Sequence, residues 1–394
     1  MPAGVQLLKP AVPKDIDGVA SLDDAVRGLA PKLRGRKSLT IVLNDPQRDT
    51  ASAAVLAKLR AALAGVRLRA LVATGTHQFA AERKAEFERG LLAAAPLDEV
   101  AWHDCRSTEL VRISGEVAWR GHPWLAQGDG PLLTIGSSQP HYFAGISGAH
   151  KTITIGCAAR ADVEANHAGA LSTNSRPGRL AGNPVHEGIV AMLAGLERRR
   201  EILAVNLLQA NGQVLTATSG RPLEALDRIA PAVRAAYFRT IRSPADALIL
   251  EATGVLGESF YQADKAIKNN EWAVRDGGVL VLEAPCPNGI GQDEFLQLLR
   301  TCPAYEAAVA EVRHRGYRLG DHKAVKLRYL TDRRGVRVFL VSAGLTSEDS
   351  RVLGFQKKPD WQAAFAAADI RPDRDKAYCV ADAANTCVTV GEAL

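Results

Sequence analysis

Short β-branched or aliphatic runs alternate along the chain with alanine-rich segments of helical spacing. The run SLTIVL at 38–43 predicts a buried strand. Ala51 to Gly65 predicts a helix, with Val55, Leu59 and Leu63 on one face at fourfold spacing. RLRALVA at 67–73 predicts a second strand, residues 80–92 a second helix, and PLLTIG at 131–136 a third strand. A β-α-β-α order implies an α/β fold with mostly parallel sheets. A second series begins after Arg242-Ser243-Pro244. It predicts strands at 247–252 (ALILEA), 278–283 (GVLVLE) and 336–341 (VRVFLV), with helices at 261–275 and 292–300. Cutting the chain near residue 243 gives two α/β domains, 1–243 and 244–394. The cleft between two such domains is a common place for an active site.

Composition narrows the class. At 394 residues, 47% hydrophobic and 23% charged, the chain suits two or three globular domains. It is not a disulfide mini-protein, a disordered tail or a collagen-like fibre. The excess of 49 basic over 43 acidic residues gives +6, mild for this length. Such a charge helps to draw in an anionic small molecule but does not argue for nucleic acid. The run Arg198-Arg199-Arg200 reads as a solvated helix face. Six cysteines occur without a CxxC pair, which suits reduced thiols in a cytoplasmic protein. The first residues show no long apolar region of a signal peptide, and no run approaches the about 18 apolar residues of a membrane span. No nucleic-acid or membrane partner is expected.

Candidate chemistry lies after the strands, because ligands of open α/β sheets bind beyond the strands' carboxyl ends. The first strand is followed by Asn44-Asp45-Pro46-Gln47-Arg48, the second by Thr74-Gly75-Thr76-His77, and the third by a loop reaching His141. Two histidines at equivalent ends of one sheet suit general acid–base work. Next comes Gly145-Ile146-Ser147-Gly148-Ala149-His150-Lys151. Its small residues suit a loop whose N–H groups cradle a phosphate. It is not a Walker A loop, since His150 stands where that motif has glycine. Lys151 is a candidate phosphate contact or covalent attachment point. His141, His150, His167 and His186 match no standard zinc spacing, although one imidazole with non-protein ligands suits nickel, copper or zinc.

ATGTH (73–77), PHYFAGISG (140–148) ending in Lys151, ANH (165–167) and GNPVHE (182–187) occur in this order. So do YQADKAI (261–267) and EAPCPNGIGQDEF (283–295). Together they resemble the nickel-pincer-nucleotide lactate racemase family of 2-hydroxyacid racemases and epimerases. The resemblance runs from about residue 40 to about 330.

The resemblance implies two α/β domains with the site in their cleft. It implies a nickel-pincer nucleotide, a pyridinium bisthiocarboxylic acid mononucleotide, joined to Lys151, and cofactor biosynthesis enzymes as partners. His167 matches the family's nickel ligand, and His77 and His141 its acid–base pair. Asp45, Thr74, Gly75, Ser147 and Gly148 fall at cofactor-binding positions, and Arg48 at the substrate-carboxylate position. Lys326, with Lys323 one helical turn away, is a further candidate substrate contact. A second cation there would suit a dicarboxylate such as malate, whereas a bland Lys323 would merely solvate a helix face. The chain reads SGAHK where the family usually has SGGRK. Two other readings stand beside this one: a hydrolase or epimerase using zinc or no metal, and a catalytically silent homologue that binds cofactor or an anion.

Overall fold

Leu39, Ile41, Val42 and Leu43 are completely buried on the strand Ser38–Asn44. A strand apolar on both faces needs cover on both, which a parallel sheet provides with helices. Leu39, Ile41 and Leu43 pack with Leu22 and Leu29 of the helix Gly18–Leu33 and with Val55, Leu56 and Leu59 of the helix Ser52–Ala62. Val42 faces the other way, into a cluster with Val185, Ile189 and Leu193 of the helix Pro184–Glu197. The computed structural model describes residues 4–11, 17–128, 130–210, 212–291 and 293–391, so the expected helix start at Gln292 lies outside them.

The result is a mixed α/β structure built on two six-stranded sheets. The first runs Gln213–Gly220, Ile202–Ala210, Leu132–Ser137, Ser38–Asn44, Arg67–Ala73, Glu99–Trp102. Its first pair is antiparallel and the remaining pairs are parallel. The second runs Val5–Leu8, Ala377–Val380, Ala245–Glu251, Val274–Glu283, Arg337–Val341, Gln356–Lys357, with every neighbouring pair parallel. Its alternate residues also divide between two clusters. Leu248, Leu280 and Leu340 face the helices Phe260–Asn270 and Asp321–Arg328, and Ile249, Val281 and Phe339 face Trp361–Ala368.

Three expectations change. Val5–Leu8 joins the second sheet beside Ala377–Val380, so this strand lies apart from the rest of the expected 1–243 unit. Val5 and Ala377 share one apolar cluster, which gives the pairing its driving force. The helix expected over 261–275 ends at Asn270, whose side-chain amide donates to the carbonyls of Ala266, Ala383 and Thr386. The chain then enters a strand at Val274. Arg200 is not a solvated residue: it is 7% exposed, and its guanidinium bonds the carbonyls of Trp124, Gln127 and Gly130.

Strands Leu132–Ser137, Ser38–Asn44 and Arg67–Ala73 are adjacent and parallel, so the loops that follow them lie side by side. The backbone carrying Lys151 lies against the end of the first of these. A Cβ at Gly136 would sit 2.5 Å from the Ala149 nitrogen and 2.7 Å from the Gly148 carbonyl carbon. Gly136→Ala is therefore expected to cost about 1–3 kcal/mol by overpacking. A urea titration reads this as a lower midpoint, and an unchanged midpoint would contradict the close approach.

Candidate functional site

The first loop is fixed by its own polar groups. Asp45 is buried, and its Oδ1 accepts from the Gln47 N–H at 2.9 Å, capping the short turn Pro46–Arg48. Asn44 donates to the Thr50 hydroxyl at 2.8 Å and accepts from the Thr152 hydroxyl at 2.7 Å, tying this loop to the Lys151 helix. In the second loop Gly75 takes φ +57, a left-handed conformation that glycine adopts freely, and donates its N–H to the Gly156 carbonyl. His77 then reaches back to the first loop, with Nδ1 2.8 Å from Asp45 Oδ2. A carboxylate oxygen accepts, so Nδ1 carries the proton, and in the neutral ring Nε2 holds the lone pair.

The third loop forms a small hairpin, Pro140–His141 paired with Gly145–Ile146. The Ala144 N–H donates to His141 Nδ1 at 3.2 Å. A backbone N–H only donates, so here Nδ1 holds the lone pair and Nε2 the proton. His77 and His141 thus present opposite tautomers at Nε2. Burial lowers the His141 pKa well below its ordinary value, and Lys151, Arg48, His167 and Lys265 push it further in the same direction. Tyr142 stacks on the His141 ring, and Phe143 meets both His141 and His167 edge-on.

Lys151 lies on the short helix Ala149–Ile153. Burial and then the Arg48 charge lower its pKa to about 7, against a smaller opposing effect of Asp45. Among the described residues its amine has no hydrogen-bond or ion-pair partner. His167 is 8% exposed, and its pKa falls to about 3 through burial and the nearby Lys151. The Asn166 amide donates to the Val185 carbonyl, which fixes its Oδ1 toward His167 Nδ1 at 3.1 Å. Nδ1 therefore carries the proton, and Nε2 keeps the lone pair that a metal would need.

One further cation belongs to this group. Lys265, on the helix Phe260–Asn270, has its pKa lowered to about 7 by burial and then by Arg48, Lys323 and Lys151, with Asp264 opposing. The segment YQADKAI carries it, but nothing in its spacing marks a site. Arg48, His141, Lys151, His167 and Lys265 are thus close enough to act on one another's charge, with His77 joined to them through Asp45.

Other expected residues are engaged elsewhere. The Thr74 hydroxyl donates to the His103 carbonyl, and Ser147 Oγ to the Ser137 carbonyl at the hairpin base. Gly148 is needed for space, because a Cβ there would lie 2.7 Å from Asn206 Oδ1. The expected phosphate cradle is largely used up by the protein. The N–H of Ser147 donates to Gln139, that of Ala149 to Asn206 Oδ1, and those of Lys151 and Thr152 to Gly148. His150 is fully buried against His186, with burial lowering its pKa well below the usual value, so it supplies no cation in place of the family arginine.

Lys323 neither solvates a helix face nor reaches out to a carboxylate. It is 2% exposed, donates to the Tyr261 carbonyl at 2.8 Å and pairs with Asp264 at 3.2 Å. Lys326 donates to the Ser175 carbonyl at 2.6 Å, and burial holds its pKa at about 8. Beside them His322 accepts or donates between two hydroxyls, Tyr142 at 3.0 Å and Tyr317 at 2.7 Å. This contact and the Lys326 bond join helix Asp321–Arg328 to the hairpin and to the segment after His167.

The mixed α/β frame thus gathers Arg48, His77 and His141 in the loops that follow adjacent parallel strands. Residues 9–178 match the lactate racemase N-terminal domain. A lactate racemase of Thermoanaerobacterium thermosaccharolyticum is 26% identical over 295 residues, covering 72% of this chain and 68% of that protein. One of Lactiplantibacillus plantarum is 24% identical over 289 residues, covering 70% and 67%. In fold, the lactate racemase apoprotein of T. thermosaccharolyticum superimposes with a TM-score of 0.86 at 20% identity, over 99% of this chain and 96% of that one. A Thermotoga maritima protein of known crystal structure gives 0.69 at 15% identity, over 94% and 97%. Over its N-terminal part the chain matches the lactate racemase N-terminal domain, and over about 70% of its length it is similar to lactate racemases. Among the described residues, no helix is long and apolar enough to cross a membrane.

With its pKa near 7, the Lys151 amine is unprotonated above neutrality, where ordinary lysines stay charged to about pH 10.4. Acylation of the apoprotein mapped by mass spectrometry is expected to label Lys151 with a midpoint near pH 7. Labelling in step with surface lysines would contradict the lowered pKa. Between the two values the unfolded chain binds a proton that the folded chain lacks, so this group's contribution to stability rises with pH.

Proposed function

We propose that the protein is a racemase or epimerase of a 2-hydroxy acid, working in a cleft between two α/β domains divided near residue 243, with Val5–Leu8 completing the sheet of the second. The observation that carries this reading is the pair of opposite tautomers. His77 offers a lone pair at Nε2 and His141 a proton at Nε2. Inverting a carbon that bears a hydroxyl by removing hydride passes through a planar keto acid between the two enantiomers. The hydroxyl proton must leave on one face and return on the other, which calls for one group able to take it and one able to give it. After turnover His77 has taken a proton and His141 has given one, which is the starting state for the opposite enantiomer.

The cations supply the rest. Arg48 fits the substrate carboxylate through two parallel hydrogen bonds. Lys265, kept near neutrality by burial and then by the same charge, adds a second contact once an anion arrives. An anionic substrate also relieves the repulsion that holds the His141 pKa down. Tyr142, stacked on the His141 ring, and Phe143, packed edge-on against it, keep water from that histidine.

The residues present fit a nickel-pincer nucleotide. Lys151 offers an unpartnered amine of lowered pKa for its attachment, and His167 an oriented Nε2 lone pair for nickel. When bound, that group supplies reversible hydride acceptance from the substrate carbon, with no net redox change. Its delivery makes the cofactor's biosynthetic enzymes the expected partners. A cytoplasmic location goes with this reading.

The test is co-expression with those enzymes, followed by intact mass, nickel analysis, peptide mapping and a chiral assay with 2-hydroxy acids. An adduct on Lys151 with near-stoichiometric nickel and racemising activity is expected. No adduct and no activity, with a loaded family member as control, would leave a silent homologue. In the loaded protein His77→Ala and His141→Ala are each expected to lose about 10²-fold or more in kcat, the usual scale for acid–base groups. Arg48→Ala should raise KM strongly with cofactor content unchanged, and an unaltered KM for every acid tried would remove it from carboxylate binding.

A further inference from the structure

We propose that the substrate of this site carries a hydroxylated chain, rather than a bare methyl group or a second carboxylate, and that the chain lies in a polar cavity beside Arg48. The inference rests on the racemase reading above and names its substrate class. A cavity of about 370 Å³ is lined by residues that follow strands of both sheets. Arg48 and Asp49 follow Ser38–Asn44, and Gln139 follows Leu132–Ser137. Lys9 follows Val5–Leu8, and Asp382 and Asn385 follow Ala377–Val380. Arg48 is shared with the reacting groups, since its charge acts on His141, Lys151 and Lys265. A carboxylate held by Arg48 therefore has its remaining chain within reach of this space.

The size and the chemistry of the lining select the chain. At about 30 Å³ for a water-sized group, the volume holds on the order of ten such groups, far beyond a methyl. Asp49 and Asp382 put two carboxylates on its wall, which accept hydrogen bonds from hydroxyls and repel a second substrate carboxylate. The amides of Gln139 and Asn385 both donate and accept. Asp382 is anchored, because the Asn385 amide donates to both its oxygens at 2.9 and 3.1 Å. Asp49 and Asp382 both take φ +46, two of the four described non-glycine residues with left-handed backbone. The fold thus holds two acids in an uncommon conformation at one cavity. Lys9 is exposed at the rim, and Lys323 is committed to Asp264, so neither makes an enclosed site for a dicarboxylate. The same two acids oppose the phosphate of a nucleotide.

The test compares a six-carbon aldonate, lactate and malate as substrates of the loaded enzyme, with cofactor content followed by intact mass. The wild-type protein is expected to epimerise the aldonate with kcat/KM at least tenfold above either of the others. Calorimetry on the apoprotein should rank the three acids in the same order. Asp382→Asn and Asn385→Ala should lower kcat/KM for the aldonate at least fivefold more than for lactate, with cofactor content unchanged. Preference for lactate or malate, or equal losses for all three, would overturn the proposal and leave the racemase reading standing. Loss of cofactor from these variants would assign the cavity to the cofactor and overturn it too. A loaded protein inactive on all three acids would overturn both.

Discussion

The positive charge of Arg48, itself exposed, acts on the half-buried His141, Lys151 and Lys265. Most of the chemistry of the site follows from burial and that repulsion acting together. Burial first, and then the Arg48 charge, keep two lysine amines near their neutral form at physiological pH, while burial and then Lys151 and Arg48 hold the His141 pKa down. The two lysines are tolerated there because each can shed its proton instead of bearing an unpaired charge, whereas the exposed Arg48 keeps its own. The same arrangement is poised for an anion, whose arrival restores the missing counter-charge.

The backbone makes this possible by geometry. Parallel strands place all their carboxyl ends along one edge, so loops distant in sequence meet without any long-range contact of their own. Asp45 then couples two of these loops by holding His77, and Asn44 couples the first of them to the helix of Lys151. Lys323 and Lys268 illustrate the opposite treatment of a buried cation. Each is neutralised by a carboxylate, Asp264 for Lys323 and Glu271 for Lys268, and each serves the architecture.

Strands such as SLTIVL and RLRALVA are legible in the sequence because burial on both faces forces an unbroken apolar run. The three loops that follow the central strands are legible for the same reason, since their positions follow from the strand ends. What pairs at a distance is not legible. Val5–Leu8 is short and carries a polar Gln6, and only its partner at 377–380 makes it a strand. Lys323 looks like a surface lysine until Asp264 is placed beside it, and Lys265 looks ordinary until Arg48 is. The phosphate cradle expected of the Ser147–Lys151 loop fails because Asn206, from a strand that the apolar pattern did not bring out, takes the Ala149 N–H.

The pairing of Val5–Leu8 with Ala377–Val380 also sets an order of events during synthesis. The first sheet is assembled from residues 38–220, so its strands all emerge from the ribosome before the strand at 377–380. The second sheet stays incomplete for longer, because Val5–Leu8 cannot pair until Ala377–Val380 has been made. Until then the opening residues have no apolar surface of their own sheet to cover them. Contacts so far apart along a chain form slowly, since the loop between their ends must close first. The wall of the cavity formed by Lys9, Asp382 and Asn385 therefore comes together only once these two strands have paired, after the strand ends of the first sheet are in place.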